Sequence, residues 1–349
     1  MIKTNSPYYV SMPLGSLGVP YDYYISYIYI WNGLNSARPL LPEYQQTRQN
    51  PSGSVGVDKI NISNLVNDFI DFQPQSNNTT GLIDGINQVW FAVDVEGFIN
   101  DVSQGVDGII IDSATSGYTY GIEGENATVP TNKILLYGDE FKVNRDSGFI
   151  LPLIGNGTNA TIISYPNNEI NTTINIPISL DSDSVVQYLW VKCSDATTDK
   201  YIQVVYNGVT IGLVVESEYR YIPINIHFKN KEGCQQVITF FKERKDSISV
   251  TKDSYNGSGG QPINGFHQFI DYNINSKSKF TVSSGFVGEE NNETFRQLLL
   301  SDKVWAYDNT NFIPLNVGSK QLEYKSRVND RLINYTIEFA YSFNDINDI

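Results

Sequence analysis

Apolar and polar residues alternate with a period of two along much of this chain. That period belongs to β-strands, whose successive side chains point to opposite faces. The alternation is cleanest in YTIEFAYSF, Tyr335–Phe343, where Tyr335, Ile337, Phe339, Tyr341 and Phe343 share one face with only Thr, Glu, Ala and Ser on the other. A strand with that many large side chains needs cover, so it is expected in a structural core or a subunit contact. In YDYYISYIYIW, Tyr21–Trp31, the odd positions Tyr21, Tyr23, Ile25, Tyr27 and Tyr29 oppose Tyr24, Ile28 and Ile30. Both faces are largely apolar, which predicts cover on each side.

The pattern then reads as strands with two helical interruptions. RPLLPEYQQTRQNPSGSVG is a long polar connection, and NQVWFAVDVEGFI returns to strand character. Between them, ISNLVNDFIDF spaces Leu65, Val66, Phe69 and Ile70 as a short helix near 63–71, with Ser63 or Asn64 available to cap it. Between 101 and 165 the periodicity loosens. SATSGYTYGIEGENATVPTN reads as an exposed excursion, and KILLYGDEFKV as a pair of strands around Gly138-Asp139. SYPNNEINTT, 164–173, reads as a linker.

Beyond it, SVVQYLWVKC is one strand, and YIQVVYNGVTIGLVV sets Asn207-Gly208 between two β-rich runs. That is a hairpin signal, because both turn residues tolerate positive φ. YRYIPINIHF places Ile222, Ile224, Ile226 and Phe228 on one face, and GCQQVITFFKERK adds another strand. SYNGSGGQPING, 254–265, reads as a hinge or hairpin loop. The last stretch offers strands at KFTVSSGFV, KVWAYD, FIPLNVGS and LEYKSRV, and a second helix near 291–300 with Asn292 as cap and Phe295, Leu298 and Leu299 inward. No repeat of 20–50 residues is present, which argues against a solenoid or propeller.

The expected fold class is mainly β, with two or three antiparallel β-sandwich-like domains and a few short helices. The expected divisions are 1–165, a β-rich domain with the excursion; 166–252, a β-sandwich; and 253–349, a C-terminal β domain. Composition agrees: 23 Tyr and 17 Phe against 2 Met favour strands, and 40% hydrophobic residues exclude a disordered chain.

The formal charge of −14 disfavours nucleic acid as the main ligand and repels anionic membranes. MIKTNSPYYVSMPLGSLGVP lacks an apolar signal core, and no stretch approaches the ~20 apolar residues of a membrane helix. Cytoplasmic synthesis and reduced cysteines are therefore expected. The Asn-x-Ser/Thr triplets, such as those at 77–80 and 156–161, read as composition rather than glycosylation sites.

Candidate chemistry is sparse. Cys193, His227, Cys234 and His267 lack the spacing of a zinc site, and His227 falls in the polar phase of its strand. Pairing Cys234 with a histidine would need an oxyanion-hole signature that is absent, and Gly257-Ser258-Gly259 sits in a flexible tract rather than a nucleophile elbow. Asp94 and Glu96 are two apart on a strand and face the same way, as a glycosidase pair would, but so does any polar outer face. The DSDS at 181–184 offers oxygen ligands without a calcium loop. Trp90, Trp190 and Trp305 lie in strand-like runs and read as core rather than sugar platforms. No catalytic, cofactor or metal residue is assigned, and the chain is read as a non-enzyme.

Three blocks together carry a resemblance. They are YISYIYIWNG with INISNLVNDFI; YIPINIHFKNKEGCQQVITFFKERK, with its Asn230-Lys231-x-Gly233 turn; and the run from FRQLLLSDKVWAYD to INYTIEFAYSFN. In style and order these resemble structural tail proteins of Bacteroidota-infecting, crAss-like podoviral bacteriophages. The resemblance implies a virion protein made in the host cytoplasm. It also implies a homo-oligomeric ring of six or twelve copies in the tail or collar, contacting other tail, portal or fibre proteins. The alternative is a receptor- or carbohydrate-binding tail module.

Overall fold

The computed structural model describes every residue except 34, 86, 132, 156–158, 166–171, 178–185, 194–200, 217–219, 258–264, 266, 320–332 and 346–349. The fold is mainly β, and its strands form several sheets. The chain divides into two compact units. The first comprises Met1–Glu216 with Lys229–Gln236, and the second comprises Ser217–Phe228 with Val237–Ile349.

The first unit holds a five-stranded sheet ordered β1 (Ile2–Lys3), β10 (Val102–Thr115), β9 (Gln88–Ile99), β5 (Tyr23–Trp31) and β6 (Tyr44–Gln49). All its pairings are antiparallel except β1 with β10. Two small ribbons accompany it, β2 (Tyr9–Pro13) with β7 (Val57–Asn61), and β3 (Gly15–Ser16) with β4 (Val19–Pro20). Tyr24, Ile28, Phe91, Val93 and Val95 from one sheet face join Val10, Met12, Ile60 and Val66 in a buried core, with Leu65, Phe69 and Ile70 packed against it. The cover predicted for both faces of β5 is therefore complete on the even side only; Tyr23, Ile25, Tyr27 and Tyr29 are half-buried. The short helix α1 (Ser63–Asn67) starts where expected, but its cap position is Ile62, which offers no side-chain bond; Asn61, just before it, accepts at Oδ1 from the Ser63 backbone N–H at 3.1 Å and from the Ser63 hydroxyl.

Two further sheets complete this unit. One is four-stranded, ordered β11 (Lys133–Ile134), β13 (Gly148–Ile154), β16 (Val186–Lys192) and β8 (Gly81–Asp84). The other is five-stranded, ordered β12 (Glu140–Asn144), β18 (Val209–Glu216), β17 (Tyr201–Tyr206), β14 (Asn159–Tyr165) and β15 (Thr172–Pro177), with β12 parallel to β18. They meet in sandwich fashion where Phe141 packs on Phe149 and the Tyr206 hydroxyl donates to the Ile154 carbonyl. The Asn207-Gly208 hairpin forms as predicted: Tyr206 pairs with Val209, and the turn residues have φ of 47° and 76°.

The second unit is built on one seven-stranded sheet. Its order is β20 (Gln235–Phe240), β19 (Ile224–Lys229), β23 (Val304–Tyr307), β24 (Phe312–Val317), β25 (Ile333–Tyr341), β22 (Phe269–Val287) and β21 (Arg244–Asn256). Helix α2 (Asn292–Leu300) buries Phe295 and Leu298 against Phe240, Phe280, Tyr335, Ile337 and Phe339. The strand that ends the alternating pattern is thus an interior strand of the sheet, with Tyr335, Ile337 and Phe339 in this core and Tyr341 packed against it, whereas Phe343 lies past its end and is exposed. Asn292 is the first residue of α2 rather than its cap, and its Oδ1 accepts the Tyr335 hydroxyl.

Several expectations change. The division at 165/166 runs through a sheet, because β14 pairs with both β15 and β17; the ends of the supposed linker, Ser164–Tyr165 and Thr172–Thr173, belong to those paired strands. The division at 252/253 cuts β21, and the strands expected to form a separate sandwich over 166–252 are shared among three sheets. The polar connection after Trp31 contains edge strand β6. The loosened region opens with the 14-residue strand β10, whose Ser113–Thr115 end is buried. The two strands around Gly138-Asp139 join different sheets. Ile222 lies outside β19 and is exposed. LEYKSRV lies outside the described residues.

Candidate functional site

Alternation on β5 and β9 places Asp94 and Glu96 on one sheet face, as their spacing predicts, and surrounds them with rings. Cross-strand register sets Tyr23 beside Phe98, Ile25 beside Glu96 and Tyr27 beside Asp94. Tyr23 stacks on Phe98 with centroids 4.7 Å apart. Glu96 accepts from the Tyr27 hydroxyl at 2.6 Å and from the Ser103 hydroxyl at 2.5 Å. The bond to Glu96, and then burial, hold the Tyr27 phenol neutral, its pKa pushed up to about 12. Asp94 is buried and paired with Arg38, whose guanidinium lies 4.0 Å over the Tyr29 ring. At the far end of the face Trp31 and Trp90 are covered. Both carboxylates are therefore committed to neighbours of their own chain, as structural carboxylates are.

Cys193 and Cys234 are buried and unbridged. Burial, with the Glu232 carboxylate nearby, pushes the Cys234 thiol up and disfavours a nucleophilic thiolate. His227 is not on a polar face: its strand is covered on both sides, and the ring meets Tyr307 and Phe312 edge-on at 5.4 and 5.2 Å. Desolvation lowers its pKa to about 3. His267 is exposed. Trp90 and Trp190 are buried, and Trp305 is half-buried in β23. Among the described residues no group of three or more His, Cys, Asp or Glu could hold a metal ion. Residues 181–184 and Ser258-Gly259 lie outside the described residues.

The KNKEGCQ segment, which sequence reasoning took only as a turn, is a buried polar clasp of the first unit. Asn230 organises it: Oδ1 accepts from the N–H groups of Glu232 and Cys234, both at 3.0 Å, while Nδ2 donates to the Leu135 carbonyl at 2.8 Å. Glu232 pairs with Lys3 at 2.8 Å and accepts from Tyr137 at 2.6 Å; Lys231 pairs with Glu123 and lies over Tyr120. Gln235 and Gln75 exchange side-chain to backbone bonds. Gly233, at φ 74°, allows the turn to press against Gly117, whose nitrogen would lie 2.5 Å from any added Cβ.

The second unit carries the opposite arrangement. Every residue of β21 is exposed, as are Phe269–Ile274 of β22. β22 pairs with β25 only through Lys279–Val287; beyond it Ile248–Asn256 and Phe269–Ser278 form a two-stranded arm whose base is backed by Asp345, its N–H donating to the Ser276 carbonyl at 3.0 Å. At ~3.3 Å per residue the arm extends about 30 Å. Ile248, Val250, Tyr255, Phe269, Ile270, Tyr272 and Ile274 are each 39–64% exposed along it. Tyr255 sits across from Ile270 and makes an edge contact with Tyr272, and Lys252 pairs with Asp271. The signal was present in SISV and FIDYNI, which alternate on either side of the Gly/Ser-rich loop.

No protein-family model matches the sequence, and no curated protein matches it. Among the described residues, no helix is long and apolar enough to cross a membrane.

Proposed function

We propose that this protein is a structural subunit of a bacteriophage particle, part of a cyclic ring in the tail or collar, acting by assembly rather than catalysis. The observation that carries the reading is the β21–β22 arm. An isolated two-stranded ribbon is marginally stable in water, and one bearing seven large apolar side chains is an association surface. With ~150–250 Å² on an aromatic side chain and somewhat less on an aliphatic one, half-exposure of seven amounts to roughly 700 Å². That approaches the ~800 Å² each partner contributes to a standard interface. β21 is also a sheet edge with unpaired backbone groups along its outer side, which adds a second means of joining.

The resemblance of the three sequence blocks to ring-forming tail proteins supplies the setting: a virion, six or twelve copies, and contacts with portal, tail or fibre proteins. In this reading neither nucleic acid nor membrane is a ligand. Native mass spectrometry and sedimentation of the purified protein test it, together with mass spectrometry of purified particles. The expected result is a closed multimer and presence in the particle. Replacing Tyr255, Phe269 and Tyr272 with Ser removes about 1 kcal/mol each for half-exposed rings, weakening association ~100-fold. A wild-type chain that stays monomeric at all accessible concentrations would overturn the reading, as would one absent from particles.

A further inference from the structure

The sequence of the edge strand β21 is complementary to itself. Residues 245–253 read Lys-Asp-Ser-Ile-Ser-Val-Thr-Lys-Asp. Laid antiparallel to a second copy about Ser249, this strand sets Lys245 of one copy against Asp253 of the other, and Asp246 against Lys252. Ser247 then faces Thr251, Ile248 faces Val250, and Ser249 faces itself. Each charged residue in the run meets an opposite charge, and the aliphatic residues meet each other at the centre. Directly opposed pairs of both kinds stabilise antiparallel strands. A slip of one residue sets Lys245 against Lys252 in one direction and Asp246 against Asp253 in the other. The charges that favour this register therefore penalise its neighbours.

The structure leaves that edge open. β21 pairs with β22 and, among the described residues, with no other strand. All of its residues are exposed, Ile248 and Val250 included. It contains no Pro, no Gly and no residue with positive φ. The irregularity in its ladder lies on β22, where Asn273 takes φ 50° and both Asn273 and Ile274 fall opposite Lys252. Edge strands are ordinarily blunted by Pro, bulges or short length as well as by charge, and β21 has only its charges. Those charges have partners within the chain: Arg244 with Asp246, Glu243 with Lys245, Asp271 with Lys252, and Asn273 with Asp253. These are surface contacts of small energy, and the side chains of Lys245, Asp246 and Lys252 remain 55–72% exposed and open to a second partner.

We propose that β21 of one copy pairs antiparallel with β21 of a second copy about a two-fold axis at Ser249, joining their seven-stranded sheets into one. This rests on the assembly reading above and names the partner of its edge strand. Residues 244–254 of the two strands exchange about ten backbone hydrogen bonds. Ile248 and Val250 of both copies form one aliphatic cluster on a shared face, with an Asp246–Lys252 pair at each end. A two-fold contact closes on itself, so a larger closed assembly built with it uses a second contact and holds an even number of copies.

Two charge variants and a cross-link test the pairing. Lys245→Glu/Lys252→Glu sets carboxylates against carboxylates across the axis, and Asp246→Lys/Asp253→Lys sets ammonium groups against ammonium groups. Each alone should weaken association through β21 at least ~100-fold in sedimentation. An equimolar mixture of the two should associate to within ~10-fold of wild type, as mixed pairs only, because each carboxylate then faces an ammonium group. A short bis-maleimide should link two copies of Ser249→Cys but not of Ser254→Cys, whose equivalents lie ~34 Å apart across the axis; the native cysteines are buried. Circular dichroism checks that each variant is folded, and where a charge variant is not, the cross-link decides. Variants that associate like wild type would overturn the pairing and leave the assembly reading standing. A mixture no better than its components, or equal cross-linking at 249 and 254, would do the same. A monomeric wild type would remove both readings, whereas a β21-dependent dimer absent from particles would keep the pairing and remove the assembly reading.

Discussion

Lowering the pH should selectively weaken the second unit through His227. The ring is buried in β19 against Tyr307 and Phe312, and desolvation lowers its pKa from 6.5 to about 3. The native state therefore stays unprotonated where the unfolded chain takes up a proton. A depressed native pKa means that full stability is present above pH ~6.5 and is lost progressively as the pH falls toward ~3. At ~1.4 kcal/mol per pH unit, the loss from this one group is about 2 kcal/mol at pH 5 and about 4 kcal/mol at pH 3. Carboxylates titrate over the same range, so the comparison is with His227→Phe, which keeps an aromatic ring and removes the titration. Urea unfolding at pH 7 and pH 5, followed by hydrogen exchange in peptides spanning β19 and β23, gives the two losses. Wild type should lose about 2 kcal/mol more than the variant between these pH values. Equal losses would refute the reasoning, because they would mean that native His227 accepts a proton as readily as the unfolded chain does.

Further outcomes follow from the clasp and the terminal strand. Gly233→Ala combines positive φ with backbone contact at Gly117, and should destabilise the first unit by about 2 kcal/mol or more in urea melts. Glu232→Gln strands the buried Lys3 ammonium and should cost about 3 kcal/mol, whereas Lys3→Met with Glu232→Leu should recover most of it by the same measurement. Deleting 333–349 removes the interior strand β25 with Tyr335, Ile337 and Phe339, so the second unit should lose protected amides in hydrogen exchange.

How much was legible in the sequence follows from the range of the forces involved. Period-two alternation is local, so the strands at Tyr23–Trp31, Val186–Lys192 and Ile333–Tyr341 could be read directly, as could the Asn207-Gly208 turn and both helices. Partner choice is not local. β13 finds β16 across residues 155–185, and β14 pairs on both sides of the expected boundary, which is why a division by polar linkers failed. His227 was misplaced for a related reason: alternation assigns a face, but only the sheet's neighbours decide whether that face meets water. The shared orientation of Asp94 and Glu96 was legible from spacing. Their commitment to Arg38, Tyr27 and Ser103 was not, because those partners come from other strands and a distant loop.

The segment from 229 to 275 inverts the usual relation between polarity and burial twice in succession. Lys229–Gln236 is polar and buried, and it is stable because its groups are matched: Asn230 with Leu135 and the turn amides, Glu232 with Lys3 and Tyr137, Gln235 with Gln75. Polar burial of that kind closes within the chain. The arm that follows is apolar and exposed: Tyr255, Phe269 and Tyr272 keep 50–64% of their surface in water, and the Tyr255–Tyr272 edge contact covers only part of those two rings. Water accepts an unpaired polar group without penalty, but each exposed ring forgoes about 1 kcal/mol or more that burial would return. A local inversion without internal compensation is expected where the compensation is supplied from outside. The clasp is accounted for by the chain itself; under the proposed assembly, the arm is accounted for by a neighbour.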